Sequence, residues 1–328
     1  MRYALVPGLL VASLISLFLA CLLGSTPISA GQVMSAVFGL SDASVQIIVW
    51  EIRLPRALAA WIAGAALGAS GAALQGLLRN PLAEPGVLGV TACASLGAAF
   101  TIHYGLVAVF AFALPLGALA GALAATALIA FAAMKNHSSV ALILAGIGLS
   151  SLATAVMALL MNLAPNPFTL SDMINWMLGS VANRSLADIR LSILPILIGM
   201  ALLYSGRRGL SALTLGEEAA MGIGVDVKRV RILIVLGAGL ATGGAVALAG
   251  AIGFVGIAAP HIIRPFVKHD SGRALVPSAI LAGLILVLAD IGVRLLPTTS
   301  ELKLGVVAAL LGAPVFVWIA LQRRGLHE

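Results

Sequence analysis

The feature that most constrains this chain is a succession of about ten long apolar runs separated by short polar loops. A helix needs about 20 apolar residues to cross the hydrocarbon core of a bilayer, and most of the runs approach that length. Hydrophobic residues make up 61% of the 328 positions and charged residues only 9%, which no soluble domain of this size requires. The sequence therefore predicts an all-α, multi-pass membrane protein, with 1–328 forming a single transmembrane domain.

The distribution of basic residues predicts how the chain crosses the membrane, because positive loops prefer the cytoplasm. The eighth run is short and is expected to be bent, but the basic loops before the seventh run and after the eighth require an exit and a return between them. With a cytoplasmic N-terminus, 13 of the 19 Lys and Arg lie inside. We therefore predict ten helices with both termini cytoplasmic. The runs lie near 5–23, 57–78, 86–102, 106–134, 140–164, 191–205, 230–249, 252–263, 274–295 and 304–321.

The net charge of +7 does not indicate nucleic-acid binding, since the basic residues are scattered through short loops between apolar runs. A weak internal echo joins GAALGASGA at 64–72 to GAGLATGGA at 237–245, identical at five of nine positions. The first lies on an inward-going helix and the second on an outward-going one. An inverted repeat of the kind common in transporters is one interpretation, and a chance match of small residues is the other.

The chain lacks the residues for ATP hydrolysis by a P-loop, because none of its four lysines follows a glycine. An ion-coupled secondary transporter is an alternative function, with Asp290 as its main ionisable candidate, although Asp290 and Arg294 also have the spacing of a structural ion pair. A second alternative is a rhomboid-like serine protease, because Gly68-Ala69-Ser70-Gly71 spells its serine motif. Close helix packing at these glycines explains the same letters.

Five segments, taken together and in order, resemble the FecCD permease family, whose members import ferric siderophores, haem and cobalamin. They are the long segment at 48–90, WMLGS at 176–180, LTLGEEAAMGIGV at 213–225, GAIGFVGIAAPHIIR at 250–264 and GVVAALLGAPVFVWIA at 305–320. The resemblance implies the permease subunit of an ABC importer in the inner membrane, with a metal chelate as substrate. A ferric siderophore is the first expectation, ahead of haem or cobalamin.

The same resemblance implies partners that composition alone does not show. They are a second permease, giving a homodimer or a paired permease, two cytoplasmic ATPase subunits, a periplasmic binding protein and membrane lipid. This chain would bind no cofactor or metal itself, and ATP with Mg²⁺ would be bound by the ATPase. An energy source in separate subunits is consistent with the missing P-loop.

The resemblance also implies a docking site for the binding protein at the outer membrane surface. Arg53 and Arg56 stand at the outer end of the second helix, against the positive-inside trend. Arginines here pair with glutamates of the binding protein in similar permeases, and Arg294 falls at a further docking position. Asp290 would compete for Arg294, and lipid-phosphate anchoring is the alternative role for Arg53 and Arg56.

Two cytoplasmic elements complete the predicted site. The turn 80–85 has two prolines that fix a corner. The resemblance implies that this turn narrows the cytoplasmic exit, with Asn80 and Leu82 as gate candidates and Ser138 and Ser139 in the partner turn. A plain turn between two helices is the alternative.

The inner loop 206–229 is the longest, and Glu218-Ala219-Ala220, three spacers and Gly224 resemble the EAA pattern by which importer permeases contact their ATPases. The resemblance implies coupling through a short helix that Gly216, Gly222 and Gly224 would end. A surface turn without a partner is the alternative. The predicted coupling residues are Gly216, Glu217, Glu218, Ala219, Ala220 and Gly224.

Overall fold

The computed structural model describes residues 2–135, 139–296 and 301–322, and helices form the only regular secondary structure in these ranges. The helices of 14 or more residues are α1 (Arg2–Leu22), α4 (Leu54–Leu77), α5 (Val90–His103), α7 (Ala113–Lys135), α8 (Ser139–Asn162), α10 (Leu186–Ser205), α13 (Val227–Ala249), α15 (Ser271–Leu295) and α16 (Leu304–Gln322). The shorter ones are α2 (Ala30–Val37), α3 (Ala43–Ile47), α6 (Leu106–Val109), α9 (Pro167–Met177), α11 (Arg207–Leu213), α12 (Glu217–Gly222) and α14 (Val255–Ile263).

Seven helices in the described ranges are long and apolar enough to cross a membrane, and three shorter apolar helices accompany them. The shorter ones lie at Val90–His103, Val255–Val267 and Leu304–Pro314. They coincide with the third, eighth and tenth apolar runs, and the eighth run is short as expected. The multi-pass, all-α class is therefore confirmed, while ten crossings and cytoplasmic termini stay predictions.

Several helix boundaries differ from those predicted by hydropathy. The second spanning helix begins well before its apolar run, because α3, a π-helical segment at Ile48–Arg53 and α4 form one continuous helix from Ala43 to Leu77. The fourth run is divided into α6 and α7. The helix α9 is moderately polar, so hydropathy did not mark it. Hydropathy detects burial in lipid, and it is insensitive to polar residues that helices carry at their ends.

Close packing of α4 against α15 forms the centre of the molecule. A Cβ atom added at Gly64 would lie 2.5 Å from the Ala282 carbonyl oxygen, and one at Gly68 would meet Ser278, one turn earlier on α15. The contact positions run in opposite directions, so the two helices are antiparallel. Small residues let backbones approach closely, which is the main source of stability between membrane helices. Ser70 of α4 is fully buried, which supports the packing explanation of the serine motif.

The two ends of the bundle carry different sets of charges. Arg207, Arg208 and Arg273 line one pocket beside the beginning of α1, and we call this end the basic end. Arg53, Arg56 and Arg294 line another pocket where α1 ends and α15 ends, and we call them the arginine rim. The arginines predicted for the two sides of the membrane thus lie at two opposite ends of the bundle, and which end faces the cytoplasm stays a prediction. Arg323 and Arg324, also predicted to be cytoplasmic, lie outside the described residues.

A break in helical structure separates α13 from α14, at the beginning of the short eighth run that was expected to be bent. Gly250 has φ +72°, and its backbone packs closely against Trp176 and Gly179. Phe254 has φ +66°, which L-residues rarely adopt outside functional or strained sites. The break and the beginning of α16 line an open apolar cavity of about 1050 Å³. Its lining residues are Met177, Leu178, Ala251, Gly253, Phe254, Gly305, Val306, Ala309, Leu310, Ala313 and Pro314.

Candidate functional site: the arginine rim and the coupling segment

Arg53 stabilises the end of α1 from inside the protein. It is only 5% exposed, and its Nη1 donates to the carbonyls of Cys21 at 2.9 Å and Leu22 at 2.8 Å. Its Nη2 donates to the carbonyl of Thr26. The last carbonyls of a helix lack intrahelical donors and carry partial negative charge, so a guanidinium is a suitable cap. In this structure Arg53 has little surface with which to contact a second protein.

Arg56 and Arg294 share the carboxylate of Asp290. Arg56 donates to its oxygens at 2.7 to 3.1 Å, and Arg294 lies 3.0 Å away as an i,i+4 ion pair. Arg56 also contacts Glu301, which is 41% exposed. The ion pair that the spacing of Asp290 and Arg294 predicted is present, while competition with a docking partner for Arg294 stays a prediction. Asp290 is 1% exposed and held by two cations, an arrangement typical of a structural ion pair.

The arginine rim and Glu301 therefore line a pocket of about 300 Å³, and Arg56 and Arg294 are paired with Asp290. Its outermost charged groups are Glu301 and the partly buried Arg56, whereas Arg53 and Arg294 bind the carbonyls at the end of α1. Binding-protein docking at these arginines stays a prediction. Sequence reasoning did not include Glu301 in this site, because the carboxylate is 245 residues from its partner Arg56.

The predicted gate turn has a defined conformation. Asn80 accepts a hydrogen bond from the backbone N–H of Leu82 at 2.9 Å, forming an Asx turn that follows Arg79 at φ +49°. The Leu82 side chain is exposed. Ser139 begins α8, and Ser138 lies outside the described residues. The gate role stays a prediction for all four residues.

Glu84, which sequence reasoning did not single out, joins this turn to the break before α14. Its carboxylate lines a cavity of about 210 Å³ together with Phe254 and Gly256. Desolvation by burial raises the pKa of Glu84, and a hydrogen bond from the backbone of Phe254 offsets part of that shift. A charged residue between two prolines and next to a broken helix is the signal that could have identified it.

The predicted coupling segment forms two short helices, α11 and α12, at the basic end. Gly216 with φ +111° precedes α12, Gly222 ends it, and Gly224 with φ +84° turns the chain afterwards. The predicted glycine-bounded helix is therefore present. Glu218 and Ala219 are exposed on it, next to the exposed apolar side chains of Leu215, Met221 and Ile223. We call these three side chains the coupling patch.

Two predicted coupling residues face the protein itself. Ala220 is 0% exposed and packs in the main hydrophobic core, so its expected contact with a partner must be corrected to a positioning role. Helical periodicity explains this, because the face opposite Glu218 and Met221 must bury against the bundle. Glu217 forms an ion pair at 3.2 Å with Arg231 of α13, which is 1% exposed.

The whole chain is similar in sequence and structure to known membrane permeases. The model of the FecCD transport family matches residues 10–322. The chain belongs to the FecCD transport family. The vitamin B12 import system permease protein BtuC of Salmonella paratyphi A is 38% identical over 313 residues, covering 94% of each chain. The ABC transporter permease protein YvrB of Bacillus subtilis, of uncharacterized function, is 40% identical over 293 residues, covering 88% of this chain and 82% of that protein.

A solved structure has the same fold from end to end. It is described as an inward-facing conformation of a metal-chelate type ABC transporter, and it superposes with a TM-score of 0.86 at 29% identity. The match covers 97% of this chain and 98% of the other. This FecCD family member is therefore a multi-pass membrane permease and a permease subunit of an ABC importer. Permeases of this kind are not enzymes, as expected from the sequence.

Proposed function

We propose that this permease carries a cobalt corrinoid of the vitamin B12 class across the inner membrane. The observation that supports this cargo is the 38% identity to a vitamin B12 permease over 94% of both chains. It replaces the ferric siderophore that was the first expectation from the sequence, and haem and siderophores become the competing cargoes. The apolar cavity of about 1050 Å³ beside the helix break suits a bulky chelate that needs no ionic contact.

The proposed assembly contains a second copy of this chain, two ATPase subunits and a periplasmic binding protein. The coupling patch supports the ATPase contact, since three large apolar side chains exposed in and beside one short helix are typical of an interaction site. Exposed apolar residues along α8 support a neighbour or lipid there, among them Val140, Leu144, Leu152 and Leu159. The arginine rim, at the opposite end from the coupling patch, is the proposed docking region for the binding protein.

Uptake into proteoliposomes tests the proposal. The permease is reconstituted with the ATPase and binding protein of its importer, and accumulation of labelled cyanocobalamin, a ferric siderophore and haem is measured with and without ATP. We expect ATP-dependent accumulation of cyanocobalamin in preference to the other two. Preference for a siderophore or haem would overturn the cargo. Uptake driven by an ion gradient without the ATPase would overturn the mechanism in favour of secondary transport.

A further inference from the structure

A second polar pocket of about 620 Å³ lies at the same end of the bundle as the arginine rim. It is formed by α6, α9 and the segment that joins α9 to α10, together with the end of α5 and the beginnings of α7 and α16. Its charged lining residues are Arg184, Lys303 and Asp172. None of the residues predicted for docking, gating or coupling lines it.

Arg184 lines this pocket and carries an unsatisfied donor. Its Nε atom is buried and has no hydrogen-bond partner among the side chains and backbone that the structure describes. Desolvation lowers the pKa of Arg184, and the charge of Asp188 offsets part of that shift. A buried guanidinium donor without an acceptor is costly, and in native proteins such a group usually binds a water, an ion or a ligand.

The side chains that line the pocket have an excess of positive charge, although Asp188, outside the lining, also acts on Arg184. Arg184 and Lys303 contribute two positive charges and Asp172 one negative charge, and none of the three forms an ion pair with another described side chain. The hydroxyl of Ser180 accepts from the backbone of Ala182 at 3.1 Å, so its own proton remains free to donate. Two cations and a hydroxyl can bind the oxygens of one singly charged group.

The rest of the lining determines what else the ligand must contain. Ile102, Val107, Leu114 and Trp176 give the pocket an apolar wall beside its charges. An inorganic anion would leave this wall and most of the volume without contacts. The lining therefore fits an anionic group joined to an organic body.

We propose that this pocket binds a phosphodiester, with Arg184 and Lys303 contacting the phosphate oxygens and the apolar wall contacting the attached organic part. Two sources have this chemistry. One is the head group of a phospholipid at the membrane surface, and the other is a corrinoid cargo, which carries one phosphodiester. The second source rests on the proposed function, whereas the first does not.

Native mass spectrometry of the delipidated permease in detergent tests the site without any transport step. The lipid probes are phosphatidylglycerol and the phosphate-free digalactosyldiacylglycerol. The cargo probes are cyanocobalamin and cobinamide, which lacks the phosphodiester. We expect the phosphodiester probe of at least one pair to bind more tightly than its partner. Arg184→Gln and Lys303→Gln should each weaken that binding about tenfold or more, the usual effect of losing a charge-assisted hydrogen bond.

Arg190→Gln is the matched control, since Arg190 is exposed on α10 and does not line the pocket. Arg184→Lys keeps the charge and should retain most of the binding, and each variant is checked for monodispersity and melting temperature. If Arg184→Gln does not fold, Lys303→Gln carries the test. If the pocket variants weaken the binding of phosphatidylglycerol alone, the site is assigned to lipid. If they weaken the binding of cyanocobalamin alone, it is assigned to cargo. Binding unchanged in both pocket variants, or weakened equally by Arg190→Gln, overturns the proposal.

Discussion

Arg231 of α13 donates to Glu217 of α12 at 3.2 Å, and this ion pair joins a buried core helix to the exposed coupling helix. Arg231 is 1% exposed and Glu217 is 39% exposed, so only the carboxylate side reaches water. Among the described side chains, Glu217 is the one carboxylate paired with this buried cation. Movement of α12 would therefore act on α13 through the guanidinium of Arg231, which is too deeply buried for water to replace the carboxylate.

The first prediction concerns this ion pair. Glu217→Gln should lower the free energy of unfolding by about 1–3 kcal/mol, because it weakens the charge-assisted bond to a buried guanidinium. Arg231→Met should cost less, since it removes the buried charge together with the need for a partner. Thermal unfolding in detergent measures the first effect, and the number of ATP molecules hydrolysed per cargo transported measures coupling. Glu218→Gln, on the exposed face of the same helix, is the control. If Glu217→Gln behaves like Glu218→Gln in both assays, the pair is incidental.

The second prediction concerns the coupling patch. Met221→Glu should reduce ATPase association about tenfold or more while leaving the melting temperature of the isolated permease unchanged, because the side chain is 56% exposed. Val109→Glu, at an exposed apolar residue of α6, should leave ATPase binding intact. Ala220→Arg should instead destabilise the permease itself, since Ala220 is buried in the core. Pull-down of the ATPase combined with thermal unfolding distinguishes these effects, and normal association of Met221→Glu would exclude the patch as the contact.

The third prediction separates the two roles of the arginine rim. Arg53→Met should destabilise the permease by about 2–4 kcal/mol, because the carbonyls of Cys21, Leu22 and Thr26 lose their donor inside the protein. Glu301→Gln should affect folding little, since its carboxylate is at the surface. It should also leave Arg56 available to pair with an acidic side chain of the binding protein. We expect Glu301→Gln to strengthen binding-protein association and Arg56→Gln to weaken it. Titration of the binding protein at low and high salt measures both, and unchanged affinity in both variants would remove the rim from the docking site.

The fourth prediction concerns pH. Because burial raises the pKa of Glu84 in the folded state, the folded protein holds this proton to a higher pH than the unfolded chain does. The free energy of unfolding should therefore fall as the pH rises from 4.5, the ordinary pKa of a glutamate, through the raised pKa of the folded state. Glu84→Gln should remove that loss and become the more stable protein at neutral pH. Melting temperatures of both proteins across this interval provide the measurement, and parallel curves would show that Glu84 does not titrate as described.

The fifth prediction concerns the direction of the chain in the membrane. Ala187 at the beginning of α10 and Ala219 on α12 are both exposed, and they lie at opposite ends of the bundle. In a background without Cys21 and Cys93, Ala187→Cys should react with an impermeant thiol reagent added outside intact cells, whereas Ala219→Cys should react only after lysis. Labelling of Ala219→Cys from outside would reverse the predicted orientation.

Much of the architecture follows from the sequence alone. Apolar runs identified the membrane class, since each helix must satisfy its own backbone in lipid. Glycines 64 and 68 indicated close helix contact, and Gly216, Gly222 and Gly224 marked the limits of the coupling helix, because these signals are local. The helix α9 and the early beginning of the second spanning helix were missed because polar residues at helix ends leave no hydropathy signal.

The chemistry of the site depended on the tertiary structure. Arg56 contacts Asp290 across 234 positions, and Arg53 binds carbonyls more than 25 positions away, so no local pattern could show that these cations are already paired. The same holds for Ala220. The sequence motif predicted that it contacts the ATPase, whereas the folded chain buries it in its own core. Periodicity and hydropathy determine which helices form, because both act within one helix. Which charges neutralise one another, and which remain open in a pocket such as that of Arg184 and Lys303, is decided only when antiparallel helices pack their ends together.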